Sequence, residues 1–205
     1  MHIADGVLPT AVAAGSYIVT LAGLGLSLRT LDQRELPKIA VVSSSFFVAS
    51  LIHLPLGPTS VHLLLPGLVG ALLGPTAFLS IVVGLFLQSL LFQFGGLTAL
   101  GANSLMMGLP ALVCGFLYRR LRGTSKKSNA LVGSLVSGLG VLLAALILAF
   151  FLATGGESFM GVAKIALVAH IPVMVVEALV GGFVISFLYQ VKPELLGVTL
   201  ARENV

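Results

Sequence analysis

Apolar residues run through this chain in long blocks that polar or breaker-rich stretches interrupt. The first block, residues 8–28, ends at the charged stretch Arg29-Thr-Leu-Asp-Gln-Arg-Glu-Leu-Pro-Lys38. A second covers 39–54 and runs into Pro55-Leu-Gly-Pro-Thr-Ser60, where two prolines and a glycine predict a turn. The third, 61–73, is short and holds Pro66, Gly67 and Gly70; Gly74-Pro75 breaks it. Blocks follow at 76–94, 102–117, 130–153 and 165–188. Gly95-Gly96, Arg119-Arg-Leu-Arg-Gly-Thr-Ser-Lys-Lys127 and Thr154-Gly-Gly-Glu-Ser158 divide them. A helix needs roughly 20 apolar residues to cross the hydrocarbon of a bilayer. The pattern predicts an all-α membrane protein, a bundle of about seven transmembrane helices forming one domain over residues 1–205. No internal repeat or low-complexity segment appears.

Composition agrees. Of 205 residues, 58% are hydrophobic and 9% charged, far below the roughly 25% charged of a soluble domain. A net charge of +4 would suggest nucleic acid in a soluble protein. Here the cations sit in short connections, so they report topology instead. Taken alternately, one set of connections (29–38, 74–75, 119–127 and the tail after Gln190) carries ten of the eleven Lys and Arg residues, and the other set carries only Lys164. Cytoplasmic loops are the basic ones. This puts the N-terminus outside, the C-terminus in the cytoplasm and an odd number of spans between them. Met1 to Gly6 holds no Lys or Arg, so it does not open like a signal peptide. The lone cysteine, Cys114, excludes an internal disulfide or a multi-cysteine metal site and reads as a small apolar residue in a packed helix.

The topology groups the chemistry. Met1-His2, the turn before His62 and the stretch 95–103 share the outer side, and all four histidines (His2, His53, His62, His170) tend to that face. An N-terminal X-His dipeptide offers three nitrogens to one ion: the Met1 amine, the His2 amide and the His2 imidazole Nδ1. Amine and amide close a five-membered chelate ring, and amide and imidazole a six-membered one, so covalent geometry alone holds the three near a plane. One further imidazole completes a square. Square-planar nitrogen coordination selects Cu2+ or Ni2+ over Zn2+, Mg2+ or Ca2+. Asp5-Gly6 supplies a turn that folds the segment back into the bundle. Two histidines compete to be the fourth ligand. His62 lies beside Thr59 and Ser60 in a breaker-rich turn, suited to a cavity lined by irregular backbone. His53 reads as a partner that orients a ligand by a hydrogen bond, and Ser60 and Asn103 read as further supports, with Asn103 pinning the inserted N-terminal loop.

Four stretches together resemble the NikM/CbiM family, the substrate-capturing membrane subunits of energy-coupling-factor importers for nickel and cobalt: Met1-His-Ile-Ala-Asp-Gly6, Gly57-Pro-Thr-Ser-Val-His-Leu63, Leu73-Gly-Pro75 and Gly95-Gly-Leu-Thr-Ala-Leu-Gly-Ala-Asn103. The resemblance extends to about residue 190. It implies a seven-helix bundle with an inserted N-terminus and an ion held by the nitrogens of Met1, His2 and His62. It also implies a transport subunit in a prokaryotic cell membrane without catalysis of its own, as the absence of a phosphate-binding Gly-x-x-x-x-Gly-Lys-Ser/Thr loop suggests. The implied partners are a transmembrane coupling protein, ATPase subunits and, in some systems, a small auxiliary membrane subunit; nucleic acid is not among them. Nickel is favoured over cobalt for its stronger preference for a planar nitrogen square.

Other readings compete. His170 and Glu177, seven residues apart on one face of the last block, suggest a proton-coupled secondary transporter or channel. The alternative for Glu177 is a structural hydrogen bond to Ser or Asn of another span, because polar groups in hydrocarbon must find partners. Gln88 and Gln93 fall toward the outer half. No Ser/His/Asp or zinc-protease motif supports an intramembrane enzyme. Small residues at Ala11-x-x-x-Gly15, Gly23-x-x-x-Ser27 and Gly70-x-x-x-Gly74 permit close helix contact, within the bundle or with a partner.

Overall fold

A computed structural model of the chain describes residues 2–56 and 59–198, without the side chains of 53–61, 157 and 158. It is built from helices α1 (Thr10–Arg29), α2 (Leu36–Ala49), α3 (Pro66–Leu73), α4 (Ala77–Phe92), α5 (Leu100–Leu121), α6 (Lys126–Ala153) and α7 (Glu157–Val191). Between α2 and α3 the strands β1 (His53–Leu56) and β2 (Thr59–His62) form an antiparallel hairpin that pairs His53 with His62. Sequence predicted a turn here. The strands went unseen because Pro55 lies in one of them and open sheet edges are not expected at membrane depth.

Among the described residues, five stretches are long and apolar enough to cross a membrane: Thr10–Arg29, Pro66–Phe92, Leu100–Leu121, Lys126–Ala153 and Phe159–Val191. Seven full crossing helices are therefore not what helix length yields. At 14 residues α2 rises about 21 Å, against a hydrocarbon core of about 30 Å, and α3 has only eight residues. Nor is Pro66–Phe92 one straight rod. Gly74, at φ +59°, reverses the chain. Gly70 lies against Ala111 and Gly115, and Gly74 against Gly115 and Arg119, so α3 runs with α5. Phe78 lies against Gly108 and Gly95 against Asn103, so α4 runs back.

Short α3 sits at the centre. Gly67 packs against Val136, Ser137 and Gly140 of α6, and Gly70 against the Ala111 carbonyl of α5. Any side chain at these two glycines would strike backbone, which is the close approach that small residues permit between membrane helices. The predicted small-residue spacing at Gly70 is thus used inside the bundle, and Gly23 is filled by the Phe78 ring, while Gly15 has nothing within 4 Å. Around this centre the outer helices turn bulky apolar side chains outward, among them Ile18, Leu21, Leu179 and Phe183. That surface suits lipid rather than water, and the chain is a multi-pass membrane protein.

The connections sort to two ends. Thr30, Glu35, Lys38, Pro75, Arg119, Arg122 and the segment 194–197 line one shared cavity. At the other end of α5, Asn103 meets the N-terminal segment.

Candidate metal centre

The N-terminal segment enters the bundle as extended chain, held at two points. Asn103, on the first turn of α5, uses both halves of its amide. Its Oδ1 accepts the Ile3 N–H at 2.9 Å, and its Nδ2 donates to the Ile3 carbonyl at 2.9 Å. Ile3 is buried in the core. This clamp settles the backbone position directly after His2. The second hold is Asp5, whose Oδ1 accepts the Thr98 hydroxyl at 2.6 Å, the Thr98 N–H at 2.9 Å and the Ala99 N–H at 3.2 Å. These N–H groups open α5, where a helix leaves donors unsatisfied and its dipole favours an anion. Chiefly through the Thr98 hydroxyl, they hold the Asp5 carboxyl below its ordinary value. Gly95 and Gly96, at φ +80° and +86°, bring the preceding loop under the segment. A Cβ on Gly96 would strike the Asp5 carboxylate, and one on Gly95 would lie 3.1 Å from the His2 Cβ.

His62 arrives from the other side, at the end of β2. It is buried, and its ring lies 4.7 Å from the His2 ring, centroid to centroid, with 17° between the planes. The Phe94 ring is near-parallel to His2 at 6.4 Å. The His62 Nδ1 is 3.0 Å from the Leu63 carbonyl oxygen. A carbonyl only accepts, so this contact makes Nδ1 the protonated nitrogen and Nε2 the one that carries the lone pair.

Next in the chain, Leu64 and Leu65 lead into α3. Leu65 has φ +51°, a left-handed conformation that costs a branched side chain of order 1 kcal/mol or more. Both carboxylate oxygens of Glu177 accept the Leu65 N–H, at 3.0 and 2.9 Å, and Oε1 also accepts the Leu64 N–H. Glu177 is fully buried in α7. Its partner is therefore backbone before a helix, not a serine or asparagine side chain. The signal was present in Leu64-Leu65-Pro66: a proline at a helix start leaves the N–H groups before it seeking acceptors. His170 Nδ1 contacts the Ala166 carbonyl of its own helix at 2.6 Å. Seven residues of helix place His170 about 10 Å along the axis from Glu177, and each engages backbone rather than the other.

The structure thus brings His2, His62, Asn103 and Asp5 to one end. Met1 lies outside the described residues, as do the side chains of His53 and Ser60. Phe94, Thr98, Gly95, Gly96 and Glu177 join the region without having been singled out for it. Among the described residues no group of three or more His, Cys, Asp or Glu side chains gathers around a point. The chelate read from the sequence needs only two side chains, with backbone nitrogens supplying the rest.

Comparisons with known proteins show the family. Residues 2–195 match the family model described as CbiM, cobalt uptake substrate-specific transmembrane region. A putative metal transport protein of Haemophilus influenzae is 36% identical over 202 residues, covering 97% of this chain and 98% of its own. A putative fused nickel transport protein of Archaeoglobus fulgidus is 30% identical over 96% of this chain and 68% of its own. The crystal structure of a transition metal transporter superposes with a TM-score of 0.74 at 26% identity, covering 93% of both chains. The chain belongs to the CbiM family of cobalt-uptake transmembrane proteins.

Proposed function

We propose that this chain captures Ni2+, or Co2+, from outside the cell as the substrate-binding membrane subunit of an ATP-driven energy-coupling-factor importer. The observation that carries the reading is the approach of His2 and His62. Metal–nitrogen bonds of about 2 Å put the rings of two neighbouring imidazole ligands in a square roughly 4 to 5 Å apart. The His2 and His62 rings lie 4.7 Å apart. In the square, the Met1 amine, the His2 amide and the His2 Nδ1 occupy three corners, and the His62 Nε2 the fourth, opposite the amide. The stacked rings turn their nitrogens inward as the ion enters. The amide must lose its proton, which Ni2+ drives better than weaker-field ions, so nickel is the favoured substrate.

Asn103 and Asp5 hold the chelating terminus in place; Ser60 and His53 are the proposed neighbours of His62. Seven crossings, with α2 and α3 as short ones, put the N-terminus outside and the basic end of the bundle in the cytoplasm. There a transmembrane coupling protein and its ATPase subunits drive release, with an auxiliary membrane subunit in systems that use one. ATP hydrolysis belongs to those partners.

Calorimetry of Ni2+ binding tests the reading. His2→Ala, His62→Ala, or one residue added before Met1 abolishes high-affinity binding while the protein stays folded. Unchanged affinity in the extended protein rules out the amine, and with it the square.

A further inference from the structure

Two cavities at the basic end of the molecule join into one site. The first, of about 600 Å3, is a groove between α2, α3 and α7 whose walls include Val42, Phe46, Leu68, Val69, Val184 and Leu188. The second, of about 430 Å3, is lined by Lys38, Arg119 and Arg122 and also by the carboxylates Glu35 and Glu194. Lys38, Leu72 and Leu195 line both. An apolar trough thus opens, past one lysine, into a pocket bearing three cations.

The cations are held in place by neutral acceptors. Lys38 Nζ donates to the Leu195 carbonyl at 3.0 Å, Arg119 Nη2 to the Leu73 carbonyl at 3.3 Å, and Arg122 Nη1 to the Leu196 carbonyl. Carbonyls fix the side chains without cancelling their charge. Of the two carboxylates, Glu194 pairs with Lys192 at 3.7 Å, outside the trio, and Glu35 acts on Lys38 through its charge, so the three cations outnumber the one carboxylate that faces them. A guanidinium carries five donors and an ammonium three, so one carbonyl bond each leaves donor capacity for an anion.

We propose that this joined cavity binds an anionic phospholipid, its phosphate at Lys38, Arg119 and Arg122 and one acyl chain in the α2–α3–α7 groove. Charge complementarity selects the occupant. A zwitterionic headgroup would bring its own cation to a basic pocket, and a free phosphate would leave the groove without a tenant. Basic pockets between membrane helices on the cytoplasmic side take anionic headgroups by this chemistry. The lipid would tie the C-terminal segment to α2 and α5 at the end of the molecule opposite His2 and His62, so the proposal does not depend on the metal reading.

Native mass spectrometry and thermal melting of the full chain in detergent test it, with dioleoyl phosphatidylglycerol, dioleoyl phosphatidylcholine and inorganic phosphate as probes. The expected result is retained phosphatidylglycerol and a raised Tm, with neither effect from phosphatidylcholine or phosphate. Lys38→Gln with Arg119→Gln lowers phosphatidylglycerol affinity about tenfold or more. Ser45→Phe, at an exposed position on the groove wall, lowers it without removing a charge. Equal retention of both lipids, or no loss in the charge variant, overturns the proposal. A phosphate effect equal to that of the lipid reduces the site to an anion pocket and overturns it too. Absence of lipid binding, with a coupling protein that binds wild type and not Ser45→Phe, assigns the groove to that protein instead.

Discussion

Two segments carry the histidines that meet, and they are held by opposite means. The N-terminal segment is fastened by the buried amide of Asn103 on Ile3 and by an exposed Asp5 at the start of α5. The stretch after His62 is fastened deep in the bundle by Glu177, a fully buried carboxylate on two backbone N–H groups. The first device is buried at Asn103 and Ile3 and meets water only at Asp5. The second cannot open cheaply, because the carboxylate and the N–H groups would then lie unpaired in a low-dielectric interior. One jaw of the proposed site is fastened partly at the surface, through Asp5, and the other entirely in the core.

That contrast can be broken in order of effect. Glu177→Ala leaves the Leu64 and Leu65 N–H groups without acceptors and should cost about 3–5 kcal/mol of stability. A melt shows this directly, together with loss of Ni2+ binding, and Glu177→Gln, which keeps one carbonyl acceptor, recovers part of both. Equal melting of wild type and Glu177→Ala would mean that His62 is held by the hairpin alone. Asn103→Ala should cost about 2 kcal/mol of stability, less than Glu177→Ala, and weaken Ni2+ binding by about 30-fold or more, since two buried backbone groups of Ile3 lose a partner at about 1 kcal/mol or more each. If Tm falls as far as in Glu177→Ala, the distinction between the two holds fails. Asp5→Ala should weaken binding less than about tenfold, because its bonds are exposed and helix-terminal contacts are modest; calorimetry compares it with Asn103→Ala.

The smallest effect is with acid. The folded Asp5 carboxyl titrates below its ordinary 3.8. Its hold on α5 is thus complete above 3.8 and is lost as pH falls through the lower folded value. Ni2+ affinity that declines between pH 7 and 5 should therefore do so equally in wild type and Asp5→Ala, through protonation of the ligand nitrogens. A wild-type decline that Asp5→Ala lacks would place the Asp5 titration in that range and contradict its lowered value.

Much of the site could be read from residues whose chemistry is local. A histidine at position 2 would form the proposed chelate rings through bonded atoms, and an asparagine after a glycine-rich loop is a natural backbone partner. Glu177 was legible only as a residue in need of donors. Its partners lie 112 and 113 residues away, and no periodicity in α7 points to them. The hairpin was hidden for the converse reason: its residues are turn formers, and only the pairing of His53 with His62 makes strands of them. Seven apolar blocks were visible, but their lengths as helices were not. Apolar runs do not record where a left-handed Leu65 or a reversing Gly74 cuts a helix short.

By itself the sequence determined that the chain lives in a membrane, which end of it is basic, and that a histidine stands at position 2, where bonded atoms could close the proposed chelate. Those properties are sums over residues or consequences of covalent bonds. Tertiary structure decided which of two candidate histidines comes to His2, that Glu177 closes on the Leu64 and Leu65 backbone from a distant helix, and that α3 is buried between α5 and α6. Such contacts depend on which glycines allow backbones to touch and which buried donors remain unsatisfied, and neither exists until the helices have packed.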